Sequence, residues 1–176
     1  MNIFYLDKDM NKCAQYHCDK HVVKMILEYS QLLSTAHRVL DGDMIEEKIN
    51  NRKRKRFVLS NKLFDTALYK ATHINHPSNV WVRTNKNNYL YLYNLLCRLL
   101  EEYTIRYGKQ HSCERLLIYL QNLPNNINNE DKFSDPPQCM PDDCKVENDS
   151  VLAYRNYYKK HKINFAKWKT EVPEWM

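Results

Sequence analysis

Apolar residues recur about every 3.6 positions along most of the chain, which predicts helices. In one pattern, from about residue 11 to residue 40, the stripe consists of Cys18, Val22, Met25, Tyr29, Leu33, Ala36 and Leu40. A second runs from about 78 to 107 with a break near Asn85, and its stripe consists of Leu92, Leu95, Leu96, Leu99 and Tyr103. Shorter patterns predict a helix capped by Ser112 and a last helix from Ser150 to about Trp168. The sequence therefore predicts an all-α protein, a single compact helical domain over 1–176 with about four main helices.

Two segments interrupt the helical pattern. Segment 43–62 is predicted to be an insertion, a loop or short helix that carries a basic run. Segment 124–149, rich in Asn, Asp and Pro, is predicted to be a long ordered loop. The chain has only two glycines, Gly42 and Gly108, and each follows a helical pattern where a C-cap is expected. Pro77 turns the chain before the second long pattern, and Ser78 is the predicted N-cap there.

A polar line accompanies the first apolar stripe. In "HCDKHVVKMILE", His17, His21, Lys24 and Glu28 are spaced by four, three and four residues, which places them along one side of a helix. A partly buried polar line is a place where pKa values shift and where chemistry is often done. The plain structural alternative is a set of hydrogen-bonded polar residues at a helix–helix contact.

Positive charge is clustered, and the formal net charge is +6 at pH 7. The clusters are "NNRKRKRF" in the insertion and "YRNYYKKHKINFAKWK" near the end. This pattern fits a polyanionic partner, and we expect duplex DNA. The predicted DNA contacts are Arg38, Arg52, Lys53, Arg54, Lys55, Arg56, Arg83, Lys159, Lys160, Lys162 and Trp168. The aromatic face of the last helix fits the core better than a platform for stacked bases.

Two kinds of chemistry suit the polar line. In one, a metal ion is bound by His17, His21, Glu28, His73 and His76, although a lysine one turn away would repel the cation. In the other, no cofactor is used: Glu28 is a catalytic carboxylate and an amine is its partner. A carboxylate near C1′ stabilises the positive charge that develops when an N-glycosidic bond breaks. An amine that captures C1′ forms an imine, and β-elimination can then nick the strand.

Several motifs, in their order along the chain, resemble the small all-α pyrimidine-dimer DNA glycosylases of phages and bacteria, the dimer-specific endonuclease V type. They are "MNIFYL", "DKHVVKMILEY" running to "RVLDG", "YKATHINHPS", "EEYTIRYGK", the "PPQ" loop and "FAKWK". The resemblance covers most of the chain. It implies a helical domain that kinks duplex DNA, flips a base and cuts beside a UV lesion. The family's catalytic glutamate would correspond to Glu28, with Lys24 and Arg38 as its basic neighbours.

The chain departs from that family at its second residue. Phage-type members use the α-amine of a small residue that is exposed when the initiator methionine is removed, whereas here Asn2 disfavours removal. Three nucleophiles stay open: the amine of Met1, the amine of Asn2, and Lys24. An α-amino group has the lower intrinsic pKa, about 7.7–8.0 against about 10.4 for lysine, which favours the chain terminus. Burial of Lys24 beside the two histidines would reverse that order.

These observations combine into one hypothesis with two alternatives. We expect a DNA-repair glycosylase, with or without an AP-lyase step, that acts on UV-damaged or otherwise modified duplex DNA. Its candidate catalytic residues are Glu28, Lys24, Met1, Asn2, His21 and His17. The alternatives are a metal-dependent hydrolase or nuclease and a non-enzymatic nucleic-acid-binding protein. With neither a signal peptide nor a membrane span in the sequence, we expect a soluble cytoplasmic monomer.

Overall fold

The computed structural model describes the backbone of residues 1–176 and every side chain except that of Ile49. The described chain has seven α-helices: α1 Met10–Tyr16, α2 Asp19–Asp41, α3 Lys62–Ala67, α4 Pro77–Val82, α5 Lys86–Tyr107, α6 Leu117–Leu120 and α7 Ser150–His161. It also has strands β1 Asp43–Ile49 and β2 Arg52–Val58, and two 3-10 helices, Ser112–Leu116 and Asp142–Cys144. The expectation of a mainly helical protein is confirmed, but a purely all-α chain with four main helices is wrong.

Two long helices form the centre of the core. The apolar stripe of α2 packs against that of α5, and the predicted stripe residues are buried apart from Leu40, which is partly buried. The predicted break before α5 is confirmed, since Asn85 caps its N-terminus and α4 ends three residues earlier. Gly108 ends α5 in the left-handed conformation, with φ 64°. The α2 helix is therefore held along its length, and this fixes the position of its polar residues.

The first long pattern is two helices rather than one. His17 has extended backbone, with φ −62° and ψ 126°, and α2 begins after Cys18. The guanidinium group of Arg106 stabilises the break between the two helices. It donates hydrogen bonds to the carbonyl oxygens of Gln15 and His17, at 2.8 and 2.9 Å. It also pairs with the carboxylate of Asp19 at 2.9 Å. The predicted line of four polar residues along a single helix is therefore wrong.

The insertion is a β-hairpin, not a loop or short helix. Its antiparallel strands are joined at Asn50 and Asn51, which have φ of 49° and 60°. Two successive positive φ angles are typical of a type I′ hairpin turn, and asparagine tolerates this conformation better than most residues. The pattern of the strands was hidden because charged side chains occupy both faces, so apolar residues do not alternate with polar ones.

Helix ends differ from the sequence expectations in four places. His76, His111 and Asp149 are the N-caps where Ser78, Ser112 and Ser150 were predicted. The last helix ends at His161 rather than near Trp168. Segment 124–149 is irregular apart from its one 3-10 helix, in agreement with the predicted loop.

Candidate active site

Each carboxylate oxygen of Glu28 has an amino group nearby. Lys24, one helical turn earlier on α2, places its Nζ 3.2 Å from Oε1. The terminal amine of Met1 lies 3.9 Å from Oε2, which is longer than a direct hydrogen bond. The Glu28 side chain is 15% exposed and that of Lys24 is 67% exposed. Three predicted site residues therefore meet in one place, where a mostly buried carboxylate lies between a terminal amine and an exposed lysine.

A chain of hydrogen bonds fixes the segment that follows the terminal amine. The backbone N–H of Phe4 donates to the Tyr29 hydroxyl at 3.0 Å, and that hydroxyl lies 3.1 Å from Nε2 of His17. Nδ1 of His17 is 2.7 Å from the carbonyl oxygen of Cys13. Since a carbonyl only accepts, Nδ1 carries the proton, and Nε2 accepts from the tyrosine. Burial lowers the pKa of His17 to about 4, so the ring is neutral at pH 7 and the chain of bonds is intact.

The Met1 side chain is itself an anchor. It is only 6% exposed and packs against the core, next to residues 3–6, which are buried. Asn2 is partly exposed. The terminal amine is thus held between a buried side chain and a hydrogen-bonded strand, which restricts its position relative to Glu28.

His76 lies within electrostatic range of the amine and the carboxylate. Its Nδ1 accepts the backbone N–H of Ser78 at 3.2 Å, so the neutral ring carries its proton on Nε2. Burial lowers the pKa of His76, and the charges of the Met1 amine and His73 lower it further, while Glu28 raises it. His76 is therefore an electrostatic neighbour of the amine and the carboxylate.

The turn that carries His76 has a strained backbone. His73 has φ 48°, a left-handed conformation that residues with a Cβ seldom adopt. The buried amide of Asn79 stabilises the turn by donating to the carbonyl oxygens of Thr72 and His73, at 2.8 and 3.1 Å. Thr72 is also tied to α2, because its N–H donates to Oγ1 of Thr35 at 3.2 Å. Strain that the surrounding contacts maintain is common near functional sites.

His17 and His21 lie in the core and not beside Glu28. Nδ1 of His21 lies 2.5 Å from the Tyr158 hydroxyl oxygen. The ring of His21 stacks on that of Phe4, with ring centroids 4.3 Å apart. Burial lowers the pKa of His21 to about 3. Both histidines therefore act as neutral structural groups that hold the N-terminal segment, and the structure gives them no place in the candidate active site.

The five proposed metal ligands do not gather into a metal site. Among the described side chains, one group has metal-binding atoms all within 4.8 Å of one another, and it consists of Asp143, Cys144 and His161. The ammonium group of Lys160 donates to both the backbone oxygen and the carboxylate of Asp143. A cation already occupies that position, so the geometry does not favour a metal ion there.

Arg38 is a buried structural residue, which is incompatible with the predicted phosphate contact. It is 1% exposed and donates to the carbonyl oxygens of Phe57, Asp65, Leu68 and Tyr69. It also pairs with the Asp65 carboxylate at 2.5 Å. Its guanidinium group joins the end of β2 and the region around α3 to α2.

The other predicted DNA contacts divide into exposed and engaged cations. Arg52, Lys53, Arg54, Lys55, Lys159 and Lys160 are exposed. Arg56 is half-buried and lies 3.5 Å from a Glu47 oxygen and 3.7 Å from an Asp65 oxygen. Arg83 is partly buried and donates to the carbonyl oxygen of Ile74 at 2.7 Å. Of the exposed cations, Lys160 is engaged with Asp143 and Lys53 with Glu46. The exposed cations are concentrated in the hairpin and at the end of α7.

The aromatic face of the last helix belongs to the core, as the sequence favoured. Tyr154 and Tyr158 are fully buried. Trp168 packs near Tyr158, and its Nε1 donates to the carbonyl oxygen of Tyr16 at 3.0 Å. Lys162 lies over the ring of Tyr157, with Nζ 4.3 Å from the ring centroid. The positions of Lys162 and Trp168 are therefore explained by contacts within the protein, without a nucleic acid.

Two residues that shape the site could not be identified from any sequence pattern. Tyr29 fits its apolar stripe, and its hydroxyl partner Phe4 lies 25 positions away in the chain. Asn79 occupies a short helix that shows no functional motif. Both act through hydrogen bonds to backbone groups, which residue spacing does not reveal.

No family model matches the chain, and no curated protein or solved structure shows significant similarity to it. In the described part of the chain, no helix combines the length and apolar character that a membrane crossing needs. The geometry around Glu28 is therefore the main basis for a functional proposal.

Proposed function

We propose that this chain is a DNA glycosylase that acts on UV-damaged or otherwise modified duplex DNA inside the cell, with an amine as nucleophile. The single observation that supports this most is the 3.9 Å approach of the Met1 amine to the Glu28 carboxylate. A positioned amine beside a carboxylate matches the requirements of glycosidic bond cleavage through an imine. The resemblance of the sequence motifs to the pyrimidine-dimer glycosylases points the same way.

In the proposed reaction, the amine nitrogen bonds to C1′ while the C1′–N bond to the base breaks and its electron pair leaves with the base. Glu28 stabilises the positive charge that develops on the sugar in the transition state. The nitrogen then gives up two protons, one to the departing base by way of solvent and one to O4′ as the C1′–O4′ bond breaks and the sugar ring opens, which leaves the imine. In the lyase step, loss of the C2′ proton expels the 3′ phosphate by β-elimination, and water releases the product.

The Met1 amine is the nucleophile that the contacts favour. It is held by a buried side chain, whereas the side chain of Lys24 is two-thirds exposed. Lys24 is better suited to orient Glu28 through the ion pair at 3.2 Å. If Met1 were removed, the new terminus at Asn2 would lie about 3.8 Å further along the chain. We therefore propose that Met1 is retained.

The role of Glu28 is tested by Glu28→Gln, which keeps the size of the side chain and removes its charge. On UV-irradiated duplex we expect loss of strand nicking, with DNA binding within a few fold of the wild type. Glu101→Gln is the matched control, because Glu101 is an exposed carboxylate that is also paired within its helix, with Arg98. Nicking by Glu28→Gln at the rate of the control would refute the assignment.

The nucleophile is identified by borohydride reduction of the reaction mixture. An imine is reduced to a stable protein–DNA adduct, and peptide mapping by mass spectrometry then locates the attached residue. We expect the DNA to be attached at Met1. Lys24→Ala should still form this adduct, because the proposed role of Lys24 is to orient Glu28. Activity should be unchanged in excess EDTA. Lys20→Ala controls for the loss of an exposed lysine of the same helix. Attachment at Lys24 would transfer the role to that residue, and no adduct together with EDTA-sensitive activity would favour a metal mechanism.

A further inference from the structure

The β1–β2 hairpin has two chemically different faces. Directly paired residues of an antiparallel ribbon share a face, and successive residues alternate between faces. Glu47 pairs with Arg54 and Ile45 with Arg56, so Arg52, Arg54 and Arg56 share one face. Lys48 pairs with Lys53 and Glu46 with Lys55, so the lysines share the other. One face therefore carries arginines and the opposite face lysines.

The arginine face changes in character from the base of the hairpin to its tip. At the base, Arg56 contacts both Glu47 and Asp65, so its charge is balanced by the protein itself. Towards the tip, Arg52 and Arg54 are exposed, and the described side chains show no carboxylate within 4 Å of either. Their Cα atoms are about 7 Å apart along the strand, since residues i and i+2 are separated by two rises of about 3.3 Å.

The lysine face is partly neutralised. Nζ of Lys53 lies 3.5 Å from an oxygen of Glu46, on the same face. Lys48 stands directly opposite Lys53, and like charges directly across a ribbon are destabilising.

The dimensions of the hairpin suit the major groove of duplex DNA. That groove, about 12 Å wide, admits a two-stranded ribbon, and a guanidinium group can contact phosphate or the edge of guanine through two parallel hydrogen bonds. The hairpin starts just after α2, and the 13 residues from Glu28 to Asp41 span about 20 Å of that helix. Laid parallel to a duplex at 3.4 Å per base pair, a length of about 20 Å corresponds to about six base pairs.

We propose that the β1–β2 hairpin is a second DNA-contacting element, which inserts into the major groove about half a helical turn from the lesion with Arg52 and Arg54 facing the DNA. This inference deepens the proposed function, because it takes duplex DNA as the partner. It goes further in assigning the contact to one face of the hairpin and in giving the hairpin a place on the duplex.

Two double variants with equal loss of charge test the face. Arg52→Ala with Arg54→Ala empties the tip of the arginine face, and Lys53→Ala with Lys55→Ala removes the same charge from the lysine face. Both are made in the Glu28→Gln protein, and affinity for an undamaged duplex is measured by fluorescence anisotropy across a salt series. We expect the arginine pair to weaken binding at least tenfold at 100 mM salt and to lower the salt slope by about 2. The lysine pair should weaken binding by threefold or less.

The outcomes separate the hairpin from the chemistry. Equal losses in the two variants would show that net charge rather than a face is responsible, and an unchanged affinity in both would remove the hairpin from the DNA interface. Equal urea unfolding midpoints ensure that the comparison concerns binding. Since undamaged duplex is not a substrate, the expected pattern supports the hairpin contact even where the wild type fails to nick irradiated DNA.

Discussion

Replacing Tyr29 with phenylalanine removes one hydroxyl and leaves two buried groups without a partner. The hydroxyl accepts the N–H of Phe4 at 3.0 Å and donates to Nε2 of His17 at 3.1 Å. All three residues are at most 4% exposed, so water does not readily replace the lost bonds. We expect Tyr29→Phe to lower the free energy of unfolding and also to release the segment that holds the Met1 amine.

The magnitude follows from the two orphaned groups. A buried donor or acceptor without a partner costs about 1–3 kcal/mol, so with two such groups the variant should lose about 2–6 kcal/mol in urea unfolding. The effect on chemistry should be separate from this loss. Because displacement of a reacting group by about 1 Å costs up to about a hundredfold in rate, the yield of borohydride-trapped adduct should fall tenfold or more in protein that is still folded.

Tyr89→Phe is the matched control. The Tyr89 hydroxyl also bridges a buried histidine and a backbone group, His37 at 2.8 Å and the carbonyl oxygen of Leu120 at 2.9 Å, but it lies away from the N-terminal segment. We expect a similar loss of stability and an unchanged adduct yield per folded molecule. The reasoning is refuted if the two variants give the same adduct yield, or if Tyr29→Phe is as stable as the wild type.

Further predictions concern acid stability, a buried arginine and the two glycines. Burial lowers the pKa of three histidines, to about 4 for His17 and His37 and about 3 for His21. The unfolded chain therefore takes up protons that the native chain does not as pH falls from 6.5 to 4, and each histidine should lower the free energy of unfolding by up to about 1.4 kcal/mol per pH unit. A flat stability profile in urea unfolding between pH 7 and 5 would contradict this burial. Arg38→Met should lower the free energy of unfolding by about 3–5 kcal/mol, because it leaves the Asp65 carboxylate without its partner. The salt slope of DNA binding should stay unchanged, because the buried Arg38 contacts no phosphate. A lower slope would restore Arg38 to the DNA interface. Gly42→Ala should lower the urea midpoint more than Gly108→Ala, since a Cβ at 42 would lie 2.5 Å from the Arg38 carbonyl oxygen, whereas a Cβ at 108 has nothing within 4 Å and meets only the cost of φ 64°.

The fold was predictable where local pattern and burial agree. The predicted stripe residues of α2 and α5 are buried apart from Leu40, and both glycines follow helices as expected. The break at His17 was not predictable, because the group that stabilises it is the guanidinium of Arg106, which lies on α5, 89 positions later in the chain. The hairpin was missed for a different reason. Its alternation is between arginine and lysine, and hydropathy does not distinguish these two residues.

The candidate site was predictable only in part. The spacing of Lys24 and Glu28 by four residues predicts their ion pair on one side of a helix. The same rule extended that side to His17 and His21, and it failed because tertiary packing turns both rings into the core. The approach of Met1 to Glu28 depends on the folding of the N-terminal segment, which no periodic pattern describes; the resemblance of the motifs was what suggested a terminal amine.

The proposed role of the Met1 amine as nucleophile has a consequence for how the protein is produced. Any residue or acyl group attached ahead of Met1 converts its amine to an amide, and an amide nitrogen does not form an imine. A formyl group left on the initiator would have the same effect, so in the proposed mechanism a deformylase acts upstream of the repair reaction wherever synthesis starts with formylmethionine. In the proposed mechanism, an N-terminal fusion is expected to leave DNA binding intact and to abolish adduct formation, whereas a tag after Met176 leaves the amine free.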